Sequence, residues 1–214
     1  MKRIILLLLL AAVTACNGSR KLQTGDLIFV GIPQDYSLDG SSMDSAISQA
    51  TGNGELNLIH VAIAEVERDS VWIIDATITH GVDRHPLDTF LRDFTLKDGS
   101  LPVFEVKRLK NPCKAARYVE QAKAFIGQEY DVHFLPDNGR MYCSELVRES
   151  YRDGESFLFD TRPMNFCNAA GEMPLYWEQL FALLGQPVPQ GVPGTNPQDM
   201  SEAPVLRSVP VTIP

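Results

Sequence analysis

Three residues far apart in a chain of 214 residues could together do acyl-transfer chemistry: Cys143, His60 and Asp75. Cys143 lies in the run GRMYCSELVRESY (139–151). There the turn-forming Asp137-Asn138-Gly139 gives way to a helical pattern with Leu146, Val147 and Tyr151 on one stripe. A thiol attacks as thiolate, and a helix start lowers its pKa through unpaired backbone N–H groups and the helix dipole. The same N–H groups could hold a developing oxyanion. Free cysteine is also among the most buried residue types, so this local context leaves core filler, disulfide half and nucleophile all open.

A nucleophilic cysteine needs a base, and the base needs an orienting partner. His60 begins the apolar strand HVAIAEV (60–66), and on a strand His60, Ala62 and Ala64 share one face. Small side chains on that face would let a helix come close. A hairpin closed around Arg68-Asp69 would pair Val66 with Val71, Ala64 with Ile73, Ala62 with Asp75 and His60 with Thr77. Asp75 then lies one diagonal step from His60, within the ~7–8 Å reach of such neighbours. A carboxylate there takes the imidazole N–H and sets the tautomer. A one-residue slip would turn Asp75 to the other face, where it would be an ordinary carboxylate near a strand end, facing water. The other histidines rank lower as bases. His80 and His85 fall in the polar connection 79–86 and read as solvated or substrate-loop residues, and His133 sits in a loop with no orienting group.

Stepping outward, the positioning elements are legible in outline. A strand is expected over 27–30, a helix over 43–51, and then the glycine-rich loop Thr51-Gly52-Asn53-Gly54. The strands 59–66 and 71–77 follow, with a short helix at 86–94 and another strand at 103–108. Asn111-Pro112 opens a helix that runs through Ile126 and stops at Gly127. The last thirty residues hold seven of the fourteen prolines, an extended tail either packed on the body or loose.

Composition narrows the class. The start MKRIILLLLLAAVTAC has a basic end, an apolar run too short for the ~20 residues of a bilayer span, and small residues before Cys16. It reads as a secretory signal over 1–15. Val13-Thr14-Ala15-Cys16 resembles a bacterial lipobox, which would make Cys16 the lipid-attachment site; a plain signal peptide is the alternative. Removal of Lys2 and Arg3 would take the formal charge from −8 to −10, a poor balance for nucleic-acid binding. Contact with a membrane would come through the lipid. Cys113, Cys143 and Cys167 are an odd number, so one must stay unpaired within the chain; a Cys113–Cys167 bridge would leave Cys143 free. With no CxxC and no cysteine–histidine cluster at zinc spacing, no metal site is expected. The resulting domain reading is a signal over 1–15, a lipidated tether over 16–24, one catalytic domain over 25–184 and the proline-rich tail over 185–214.

In order along the chain come GDLIF (25–29), HVAI (60–63), IDA (74–76), GQEYD (127–131) and YCSELV (142–147). This set resembles the circularly permuted NlpC/P60 superfamily, specifically the YaeF/YiiX-like permuted papain-like amidases, in which the histidine strand precedes the cysteine. The resemblance implies an α+β fold, a small antiparallel barrel-like sheet with helices packed on it and the cysteine helix against the histidine strand. It implies Cys143 as nucleophile, His60 as base and Asp75 as third member, with Tyr130 lining the cleft. Ser144 joins Tyr130 as an oxyanion or substrate-binding group. The expected activity is cysteine-dependent hydrolysis of an amide bond, in a peptide, a peptidoglycan stem peptide or an N-acyl amide, by a monomeric envelope lipoprotein without cofactor. Acyltransferase or thioesterase-type chemistry on the same site, or a non-catalytic binding module, are the alternatives.

Overall fold

The computed structural model describes residues 21–33, 36, 42–51 and 56–213. The expected signal, Cys16 and the loop at 52–54 lie outside the described residues. Among the described residues, ten strands and six α-helices occur in the order β1 (Leu27–Pro33), α1 (Met43–Thr51), β2 (Leu56–Glu67), β3 (Ser70–Thr77), β4 (Gly81–Pro86), α2 (Leu87–Asp93), β5 (Val103–Leu109), α3 (Ala115–Lys123) and α4 (Cys143–Ser150), with a 3-10 turn at Pro112–Lys114 leading into α3. Then come β6 (Arg152–Asp153), β7 (Ser156–Phe157), β8 (Arg162–Pro163), α5 (Leu175–Leu183), β9 (Pro193–Gly194), α6 (Pro197–Ser201) and β10 (Leu206–Ser208).

Six strands form one antiparallel sheet in the order β10-β5-β1-β2-β3-β4. The expected barrel-like sheet is instead open. Its β4 edge is capped by the turn after α3, where Val82 N–H donates to the Gln128 carbonyl at 2.8 Å and Gly127 N–H to the Val82 carbonyl at 2.9 Å. Gly81 makes that approach possible: at φ +67° it takes a left-handed backbone, and a Cβ there would lie 2.3 Å from the Gln128 oxygen. At the opposite edge β10 covers β5, so the proline-rich tail is packed on the body.

Both faces of the central strands are buried, which explains the near-continuous apolar runs in β1 and β2. One face sends Leu27, Phe29, Val61, Ile63 and Ile74 against Tyr118, Val119 and Ala122 of α3 and Leu146 and Val147 of α4. The other sends Ile28, Val30, Ala62, Ala64 and Ile73 against Phe90 of α2 and Val106. The small residues Ala62 and Ala64 let α2 come close through Phe90, as expected of that face, and the cysteine helix packs on the odd-numbered face of β2. The expectation of a polar connection over 79–86 is corrected: 81–86 is strand β4, with Val82 and His85 buried.

The β2–β3 hairpin pairs Val66 with Val71, Ala64 with Ile73 and Ile63 with Ile74, in the register expected from a turn at Arg68-Asp69, and the ladder ends there, before the expected Ala62–Asp75 and His60–Thr77 pairs. Between β1 and β2 the register shifts at Val30/Gly31, so Ile59 is an extra residue beside His60. Such bulges bend a strand and re-aim its side chains. No helix among the described residues is long and apolar enough to cross a membrane.

Candidate active site

Cys143 is the first residue of α4 and is buried, while the backbone of Tyr142 before it is extended. Leu146, Val147 and Tyr151 hold the helix in the core, and the Tyr151 hydroxyl donates to the Gly25 carbonyl at 3.0 Å, tying the helix end to the start of β1. The first N–H groups of a helix have no partner within it, and Cys143 and Ser144 sit there.

His60 and Asp75 meet across the hairpin. The His60 Nε2 lies 2.8 Å from Asp75 Oδ2, and the two side chains are 8% and 1% exposed. Phe94, just after α2, and Phe90 of α2 wall the ring, with centroids at 4.7 and 6.3 Å. The Cys143 thiol faces the same ring. Burial disfavours the charged imidazole, but the Cys143 charge, hydrogen bonds to Asp75 and Cys143 and the Asp75 charge outweigh it, and the ring is pushed up to about 10. A base hydrogen-bonded to an orienting carboxylate thus stands beside a thiol, the arrangement that activates a nucleophile.

Tyr130 stands beside the thiol. Burial, then the charges at Cys143 and Asp44, hold its phenol well above the ordinary range, so it remains a proton donor. Its hydroxyl lies 3.9 Å from Met43 Sδ. Ser144 is fully buried, and its Oγ shares a 3.0 Å hydrogen bond with Thr195 Oγ1. Its hydroxyl is therefore engaged with the tail. Thr195 also donates its N–H to the Tyr142 hydroxyl at 3.1 Å. The tail thus braces the residues on either side of Cys143, a role with no motif in the sequence to signal it.

Two spaces open at the thiol–imidazole pair. One, of about 520 Å³, is lined by Cys143 with Phe134, Met164, Phe166, Trp177 and Tyr142, an apolar wall supplied by α5 and the segments around 134 and 165. The other, of about 1070 Å³, is lined by His60 with Asp44, Thr77, His80, Asp93 and Tyr176. Tyr130, Ile47 and Ile59 border both.

A model of the permuted papain-like amidases, the YaeF/YiiX or C92 family, matches residues 21–210. The chain belongs to that family. Membership makes this permuted amidase a papain-like hydrolase of amide bonds. Its fold is also that of a crystal structure of the metalloprotein yiiX from Escherichia coli O157:H7, 24% identical, with a TM-score of 0.66 over 90% of this chain and 98% of that one. No curated protein matches. The described residues of the amidase bring together no group of three or more His, Cys, Asp or Glu side chains that could hold a metal ion.

The other histidines take separate places. His133 borders neither space; its backbone N–H donates to Asp131 Oδ1 at 2.8 Å. His80 is exposed, lines the space on the His60 side and lies 3.6 Å from Asp93. His85, expected to be a solvated or substrate-loop residue, is instead buried behind Asp75. Cys113 and Cys167 are free thiols, so the bridge considered for them is not formed. The apolar wall from Phe134 to Trp177 escaped the sequence reading because aromatic residues at those spacings look like ordinary core.

Proposed function

We propose that this chain is a thiol amidase in which Cys143 attacks, His60 transfers protons and Asp75 orients His60. The observation that carries the reading is the buried His60–Asp75 hydrogen bond of 2.8 Å with the Cys143 thiol, at a helix start, facing the same ring. The Cys143 proton passes to His60, and the thiolate adds to the carbonyl carbon. The tetrahedral oxyanion takes the Cys143 backbone N–H and the Tyr130 hydroxyl. His60 returns the proton to the leaving amine, the C–N bond breaks, and a thioester remains. His60 then deprotonates a water that releases the acid. These steps use no cofactor.

The apolar space on the cysteine side favours an N-acyl amide over a stem peptide, because apolar walls reward an apolar acyl group. The polar space on the His60 side would take the amine. Acyl transfer to an acceptor other than water is a second outcome of the same thioester. The lipid anchor at Cys16, an envelope location and a monomeric state belong to this proposal as expectations from the N-terminal sequence and the resemblance.

The test is to offer a long-chain N-acyl amide and a stem peptide and weigh the protein for an acyl adduct on Cys143. The acyl amide should give the adduct faster. Cys143→Ala and His60→Ala should each abolish turnover in protein that remains folded, and turnover retained in either variant would sink the mechanism. A Cys143 thiol alkylated no faster than free cysteine at neutral pH would instead support the binding-module reading.

A further inference from the structure

Asp75 has two carboxylate oxygens, and the catalytic reading uses one. Oδ2 meets His60, while Oδ1 is buried with no hydrogen-bond partner among the described residues. A second histidine faces it: His85 Nε2 lies 3.8 Å from Asp75 Oδ1. In the β3–β4 ladder Asp75 pairs with Asp83 and Ile73 with His85, so Asp75, Asp83 and His85 stand on one face. The His85 ring is stacked on Phe90 at 6.5 Å and 19°, and His85 is only 7% exposed. Both of its nitrogens lack a hydrogen-bond partner among the described residues.

Buried polar atoms left unpaired cost about 1–3 kcal/mol each, and native proteins rarely leave them so. A phenylalanine would fill this place beside Phe90 without that cost. The two orphans that face each other, an acceptor on Asp75 and a nitrogen on His85, satisfy one another if the gap closes by roughly 0.8 Å to the usual ~3.0 Å.

We propose that His85 is a positioning residue for the His60–Asp75 pair: its Nε2–H holds Asp75 Oδ1 from behind and keeps Oδ2 aimed at the His60 ring. This rests on the reading of His60 as the base of Cys143. A carboxylate gripped on both oxygens cannot rotate away from His60. The other ring nitrogen, Nδ1, lies 3.8 Å from Asp83 Oδ2, whose side chain is 45% exposed, so the chain of contacts ends in water. The charged and titratable groups facing this assembly are Cys143 of α4 and Asp44 of α1 toward His60, and Asp83 and the His80 ring toward His85. His80 in turn lies 3.6 Å from Asp93 of α2.

The test follows the His60 ring by NMR titration in the wild type, in His85→Phe, which keeps the aromatic packing and removes the donor, and in His85→Gln, which restores an N–H. The His60 midpoint should fall by about one pH unit or more in His85→Phe, a tenfold change in its proton affinity, and recover most of that in His85→Gln. An unchanged midpoint in folded His85→Phe would overturn the proposal. If that variant does not fold, the wild type still decides through the ¹⁵N shifts of His85. A proton on Nε2 with a hydrogen-bonded shift supports the role, and a proton on Nδ1 alone ends it. Alkylation of wild-type Cys143 is measured alongside. A thiol no more reactive than free cysteine would count against the thiol-amidase reading, whereas the His85 titration reports on the His60–Asp75 pair itself.

Discussion

Asp75 sits in a strand whose other buried residues are Ile73, Ile74 and Ala76, and a carboxylate there is tolerable only with partners. That requirement made it findable from sequence, and the hairpin register brought it to His60. Asp75→Asn keeps the shape but replaces one acceptor oxygen with a donor, which disfavours the tautomer that accepts the thiol proton. We expect kcat to fall by about 10²–10⁴ with KM little changed, measured with any amide that gives the Cys143 adduct. The pH profile belongs to the same pair. With its pKa pushed up to about 10, His60 stays charged well beyond the ordinary histidine range. The free enzyme therefore holds the proton for the leaving amine through pH 8 and 9, and kcat/KM should fall only as pH approaches 10. An alkaline limb near 7 in the wild type would contradict this placement of His60. His85 was misread for a related reason: its neighbours Asp83 and Arg84 are polar, and only the strand pairing shows which side chains turn inward.

The start of α4 concentrates much of the site's cost. Glu145, in the first turn, accepts the Tyr142 N–H at 3.4 Å. Burial, and then the nearby Asp131 charge, push its carboxyl up to about 8. Its folded pKa thus exceeds the ordinary carboxylate value. Between about pH 4.5 and 8 the folded state holds a proton that the unfolded state has released, so stability declines through that window as pH rises. Glu145→Gln keeps an acceptor for Tyr142 and has no charge to bury. It should raise Tm at pH 8, by a stability gain on the order of a few kcal/mol at most, and the gain should vanish near pH 4. Thermal melts at the two pH values check it; an equal gain at both would point to packing. The second brace is β9. A Cβ on Gly194 would lie 2.4 Å from Met164 Sδ and 2.9 Å from the Tyr142 hydroxyl. Gly194→Ala should therefore cost about 1–3 kcal/mol and lower kcat, because Tyr142 and Thr195 flank the nucleophile. A melt and a turnover assay on the same sample separate the two effects.

At the scale of the whole molecule, the local pattern fixed more of the body than of the tail. The helix expected over 43–51 is α1, Met43–Thr51, and the expected hairpin strands agree with β2 and β3 to within a few residues, because period and turn chemistry are local. Which face of β2 receives α4, whether the sheet closes, and where residues 185–213 go are decided by contacts distant in sequence, and proline content carries no address. The tail supplies the β10 edge, pairing Leu206 with Leu109 and Arg207 with Arg108. It also buries Met200 against the α4 side of the sheet and Val209 against the α2 side. Thr195 joins it to Tyr142 and Ser144 beside the thiol. A chain ending at Gly191 would expose the β5 ladder edge and leave Tyr142 and Ser144 without these partners, whereas a chain ending at Val209 keeps every one of these contacts. We therefore expect the shorter chain to lose cooperative unfolding and amidase turnover together, and the chain ending at Val209 to retain both within about twofold in kcat and 1 kcal/mol in stability. Urea denaturation and turnover of the two truncations decide the matter. A chain ending at Gly191 that unfolded cooperatively and turned over normally would show the tail to be an accessory to a site complete without it.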